Sequence, residues 1–182
     1  MIKRKNMNKK NALEQFDEIV EPCKQTARNK AGDYGSSFTW YRQRSWIDKL
    51  FIKAKRIRTL QETGENRVGE SIEGEFQAIL NYGVLFLLQS ERGFSPEPVS
   101  AETIFDSYEK NLERCRSLMK KKNHDYGEAW RDMSLIGIDD EIIVKLVRCR
   151  ELSDQNKNSD DNILDIVNYA IFALILIKEN KT

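Results

Sequence analysis

Toward the C-terminal end of the chain, Asp161, Asp165 and Asn168 recur at i, i+4 and i+7, so a helix would carry all three on one face among apolar neighbours. A carboxylate pair in that setting suits Mg²⁺, an oxygen-seeking ion that takes one or two acids and keeps water or substrate phosphate as its other ligands. Two pairs of cations have the spacing for the complementary task. Lys53 and Arg56, and again Lys145 and Arg148, stand three residues apart beside an apolar stripe. Cations so placed need anions, which either the protein's own carboxylates or the phosphates of a nucleotide would supply. A third cluster, "NHDYGEAW" at 123–130, holds the only histidine of the chain. There His124, with an ordinary pKa of about 6.5, has the chemistry of a proton carrier, beside the acids Asp125 and Glu128. Tyr126 and Trp130 offer rings for a base or sugar. The structural alternative for the same stretch is a turn in which Gly127 takes a positive φ, Asp125 caps and Tyr126 packs on the core.

These groups gain meaning from an internal repeat. A shift of 92 positions, which sets Asp33 on Asp125, brings "AGDYGSSF" onto "NHDYGEAW". It also sets Lys30, Tyr34 and Gly35 on Lys122, Tyr126 and Gly127, Cys23 on Cys115, Phe38 on Trp130, Lys53 on Lys145 and Arg56 on Arg148. Asp48 meets Asp140 and Arg58 meets Arg150 in the same register. Further on the register shortens to 87, setting Asn81-Tyr82 on Asn168-Tyr169. The acids are not repeated, because Gly74 and Ala78 stand where the second copy has Asp161 and Asp165; Glu70, Glu73 and Glu75 lie nearby. His124 and Glu128 likewise belong to the second copy only. Any metal site is therefore expected in the second copy or shared between the two.

The elements that must position these groups are helices. Apolar residues at helical spacing predict a first helix over about 11–30 and 101–122, a second over about 45–62 and 139–154, and a third over about 66–91 and 159–180. No segment reads as a strand. The fold class is all-α, with six main helices in two tandem three-helix repeats packed as an intramolecular pseudo-dimer, each copy covering the apolar face that the other leaves open. The expected division is a disordered basic arm over 1–10, a first repeat over 11–93, a linker over 94–100 that carries two of the three prolines, and a second repeat over 101–182.

Composition narrows the function classes. Thirty basic residues against twenty-nine acidic ones leave a net charge of +1, which argues against a nucleic-acid coat. The most apolar run, IVNYAIFALILI, is shorter than the about 20 residues a membrane crossing needs. Three cysteines without CxxC or histidine-paired spacing suit reduced thiols, and a cytoplasmic protein is expected. A single histidine and no serine or cysteine elbow argue against an acyl-transfer triad. Walker and GxGxxG loops are absent as well.

The order K-x-x-D-Y-G, then K-x-x-R, then D-x-x-x-D-x-x-N-Y-A resembles the nucleotide modification associated domain 1 family in a tandem arrangement, over roughly residues 12–180. That resemblance implies a link to nucleotide metabolism. A more distant likeness is to the all-α nucleoside triphosphate pyrophosphatases of the MazG type, whose acids on successive helices bind Mg²⁺. Where those enzymes carry E-x-x-E, this chain has the K-x-x-R pairs. The resulting expectation is a nucleotide-binding helical protein, with Asp161 and Asp165 on Mg²⁺ and His124, Asp125 and Glu128 as catalytic candidates in a pyrophosphohydrolase-like reaction. Lys53, Arg56, Lys122, Tyr126, Trp130, Lys145, Arg148 and Asn168 are the substrate-binding candidates. The partner would be a nucleotide or other phosphate-bearing small molecule, self-association being compatible with this. The competing class is a non-catalytic interaction or nucleotide-sensor domain whose charges form a structural network.

Overall fold

The computed structural model describes residues 11–34, 37–93 and 97–181; the basic arm, Gly35 and Ser36, residues 94–96 of the linker, Thr182 and the side chains of Asp33, Tyr34 and Lys181 lie outside that description. Among the described residues there are six α-helices and no strand: α1 Ala12–Tyr34, α2 Gln43–Thr63, α3 Ile72–Arg92, α4 Ala101–Tyr126, α5 Leu135–Asp154 and α6 Asp160–Lys181. A short 3₁₀ turn follows the first helix of each repeat, at Ser37–Trp40 and Ala129–Asp132. No helix among the described residues is long and apolar enough to cross a membrane.

Local chemistry explains where the helices start and stop. The side-chain oxygen of Asn11 accepts from the backbone N–H groups of Leu13 and Glu14 at the head of α1. Ser71, Ser100 and Ser134 do the same for α3, α4 and α5, each accepting at 3.1 Å from the N–H three residues on. The Ser134 cap sets α5 four residues ahead of the expected start, whereas α3 starts later than expected because Asn66 and Gly69 form a loop closed by two side-chain hydrogen bonds. The DYG motif is also placed differently from a plain turn. Asp125 and Tyr126 are still helical, and only Gly127 turns, at φ 62 with its N–H on the Asn123 carbonyl.

The two repeats pack about a pseudo-twofold relation in which α1 meets α4, α2 meets α5 and α3 meets α6 along the core. Gly83 sits at the tightest approach, since a Cβ there would lie 2.5 Å from Cγ2 of Val167. Surface ion pairs repeat across the interface in the way a self-complementary contact requires. Arg150 reaches Asp48 at 2.9 Å and its counterpart Arg58 reaches Asp140. Arg116 holds Asp17 in a fork at 2.8 and 2.9 Å, and Lys24 holds Glu109 at 3.2 Å. A third pair is reversed in sign: Lys178 meets Glu18 in one place, and Lys110 meets Glu91 in the equivalent one. Each such pair is worth little in stability, about 0–1 kcal/mol. Together they fix the register of one repeat on the other.

Candidate binding cleft

Most of the residues singled out for chemistry are held by the protein itself. Glu75 at the start of α3 is 1% exposed and takes both Lys53, at 3.1 Å, and Arg56; Glu70 at the rim adds a second acid to Arg56. In the second repeat the carboxylate of Asp165 bridges Lys122 on α4 and Lys145 on α5, one lysine to each oxygen, the latter at 2.7 Å. Arg148 turns outward to Glu151. Asp161, one helical turn before Asp165, is exposed. A magnesium ion there would have to displace two ammonium groups from Asp165, so this carboxylate pair has the donor set of a salt-bridge node more than of an open cation seat. Among the described residues no group of three or more His, Cys, Asp or Glu side chains converges as a metal site would.

The 123–130 stretch divides in the same way. His124 Nδ1 lies 3.0 Å from Asp125, both side chains in solvent, and Tyr126 is 72% exposed. Glu128, at φ 58, accepts from Arg131. Trp130 alone turns inward. Its ring lies flat on Phe172, with centroids 4.3 Å apart and planes 7° from parallel, and its Nε1 donates to Asn123. Asn168 is buried, and its amide donates to the Cys115 carbonyl. Burial pushes the thiols of Cys23, Cys115 and Cys149 up to about 11, 12 and 11, leaving them protonated and unreactive.

An aromatic cleft of about 450 Å³ lies between α1, the first 3₁₀ turn, α2 and α3 of the first repeat and is closed on one side by α4 of the second. Its walls are aromatic: Phe38, Tyr41, Trp46, Tyr82, Phe105 and Tyr108. Two cations, Lys30 and Lys49, line it, and among the described residues no acid does. Lys49 is held by rings, its Nζ 4.5 Å from the centroid of Tyr41 and 5.6 Å from that of Tyr82. Tyr108 donates to Asn81 Oδ1, and burial pushes the phenol well above its ordinary value, so it stays a donor. Buried Gln89 braces the wall from behind, donating to the Thr39 carbonyl at 2.9 Å and accepting from the Trp46 indole. The backbone that carries Phe38 is thereby tied to α3.

Most of this lining escapes a reading confined to repeated motifs. Tyr41, Trp46 and Lys49 are unmatched in the second copy, which has Met133, Ile138 and Glu141 there. The usable signal lay in that mismatch, an excess of rings in "WYRQRSW" beyond what a core helix needs. A model of the nucleotide modification associated domain 1 family matches the chain in two segments, residues 30–89 and 122–177, more than half its length. Both segments begin at the equivalent lysines, Lys30 and Lys122. No curated protein and no solved structure matches the chain.

Proposed function

Because the chain belongs to the nucleotide modification associated domain 1 family, with a match in each of its repeats, we propose that it is a nucleotide-binding protein whose working site is the aromatic cleft of the first repeat. One observation carries this reading: the cleft joins six aromatic rings to two ammonium groups with no acid among its described lining residues. Rings offer stacking to a base, and ammonium groups without a carboxylate partner suit phosphate. The volume is that of a small-molecule site. Lys30, exposed at the rim on α1, and Lys49 would meet the phosphate, and Tyr41 and Tyr82 would meet the base or sugar.

Asp161 is exposed, Asp165 is held by two lysines and His124 lies in solvent, so the proposed role is binding without a hydrolytic step at these residues. Titration calorimetry with nucleosides and with nucleoside mono-, di- and triphosphates, each with and without Mg²⁺, tests it, alongside an assay for released phosphate or pyrophosphate. Binding lost in Tyr82→Ala and weakened in Lys49→Ala is the expected result. Failure of every nucleotide to bind the native chain defeats it. Turnover that depends on Mg²⁺ and is lost in Asp165→Asn would instead favour a pyrophosphohydrolase working from the second repeat.

A further inference from the structure

Resting on that reading, we infer that the second repeat is a self-occupied copy of the same site, and that it identifies the ligand of the first as a nucleoside monophosphate bound one per chain. The pseudo-twofold relation allows the two sites to be compared position by position. Where the first repeat has Phe38 and Leu85 at the cleft, the second has Trp130 and Phe172, and these two rings lie flat on each other at 4.3 Å. Ala78 lines the first cleft, while its counterpart Asp165 holds Lys122 and Lys145. Lys122 is the counterpart of Lys30, which lines the first cleft without a carboxylate partner among the described residues. The second repeat thus closes its own site with the Phe172 ring stacked on Trp130 and with the Asp165 carboxylate. In the first repeat Leu85 and Ala78 stand in those two places, and among the described lining residues no acid takes the carboxylate's role, so a ligand can bring both the ring and the anion.

The internal occupant also sets the scale of the ligand. A flat aromatic ring and one compact anion are the two ends of a nucleoside monophosphate. The charge agrees, since two ammonium groups balance a phosphate monoester, whose second pKa near 6 gives it about −1.5 to −2 at pH 7. A triphosphate would bring further charge to a cleft in which, among the described lining residues, two cations, Lys30 and Lys49, are there to meet it. What is left of the second cleft is a groove beside Asn11, Leu13 and Asn123, where Glu14 and Glu128 face Arg116 and Lys120 and no aromatic ring is left to stack on a base.

The test copies the second repeat into the first. Ala78→Asp places the carboxylate of Asp165 beside Lys30 and is expected to lower nucleoside monophosphate affinity by about a hundredfold, the effect of setting like charges together. Ala78→Asn, equal in bulk and uncharged, is expected to keep most of the affinity, and circular dichroism with a melting curve checks that both variants fold. For the native chain, calorimetry should give one site per chain, an affinity for the monophosphate at least about tenfold above that for the nucleoside, and none higher for the triphosphate. If nucleotides bind but Ala78→Asp binds as tightly as the native chain, this inference falls while nucleotide binding stands. Equal losses in the Asp and Asn variants, two sites per chain, or a triphosphate preferred by more than about tenfold would each overturn it as well. If no nucleotide binds at all, both this inference and the reading beneath it are overturned.

Discussion

The equivalent position on the third helix is Ala78 in the first repeat and Asp165 in the second, and the two halves of the molecule part there. Around Asp165 the charged and aromatic groups are taken up within the protein: two lysines on the carboxylate, Trp130 on Phe172, Arg131 on Glu128, Glu179 and Gln15. Around Ala78 the rings of Tyr41, Trp46 and Tyr82 lean on one another, with centroids 5.1 and 5.9 Å apart, as one wall of a cleft of about 450 Å³. The motifs common to both copies, K-x-x-D-Y-G and N-Y, belong to the frame. In the second copy, where all these side chains are described, the frame's Asp125 and Tyr126 end a helix in solvent and Asn168 serves the core. Differences between the copies, not their likeness, mark where a ligand would enter.

The first repeat is also the one that hides its acid. Glu75 is buried with Lys53 and Arg56 around it, whereas its counterpart in the second repeat is Asn162. Replacing Glu75 by Gln leaves two cations without their buried partner, and urea unfolding should show a loss of about 3–5 kcal/mol. Asp165→Asn, at a node closer to solvent, should cost less, about 1–3 kcal/mol. If the two losses come out equal, the contrast between a buried and a rim carboxylate is wrong.

A second asymmetry has the opposite sign. Asp139 in α5 is fully buried, neither carboxylate oxygen has a hydrogen-bond partner, and the first repeat has Ile47 at that place. Burial is the main cause that raises its carboxyl from 3.8 to about 7; Asp140 adds to the rise, while Arg58 and Lys55 oppose it. A carboxylic acid whose folded pKa is raised binds its proton more tightly in the folded state. Its penalty is absent below the unfolded value, grows as pH rises from about 4 to 7, and is complete above 7. Asp139→Ile should therefore stabilise the protein, by up to about 4 kcal/mol above pH 7 and by about 2–3 kcal/mol less at pH 5. Denaturant melts of both proteins at pH 5 and pH 8 give the comparison. A gain independent of pH would assign the effect to packing alone.

How much of this was legible in the residues depends on the kind of information each one carries. Helical periodicity and the repeat are local and additive, so the six helices and their division into two triplets could be read directly. Cap chemistry moved the ends: Ser134 begins α5 before the apolar pattern does, and the Asn66–Gly69 loop delays α3. The choice between a carboxylate that binds an ion and one that binds lysine was not legible for Asp165. Its two partners come from α4 and α5, 43 and 20 residues away. Spacing along one helix cannot reveal what other helices bring to it. The cleft was hidden for a related reason, because a cavity is defined by what five separate elements fail to fill.

The smallest expected effect tests whether the two halves are equivalent where no ligand is involved. Asp48–Arg150 and Asp140–Arg58 are the same contact made twice, with similar exposure of their partners. If the pseudo-twofold relation holds for energies as well as positions, double-mutant cycles on the two pairs should give coupling energies within about 0.5 kcal/mol of each other and below about 1 kcal/mol each. The environments differ in two respects. Arg150 also lies over the ring of Phe51 at 3.7 Å, where Arg58 has Ile143 as the counterpart of that ring, and Asp48 accepts a further contact from Arg44. The ring contact belongs to Arg150 alone, so Arg150→Ala should cost more than Arg58→Ala by about 0.5–1 kcal/mol, while the aspartate cycles stay matched. Unequal couplings would mean that the asymmetry extends beyond the cleft to the frame itself. Matched couplings would confine it to the positions that differ around Ala78 and Asp165.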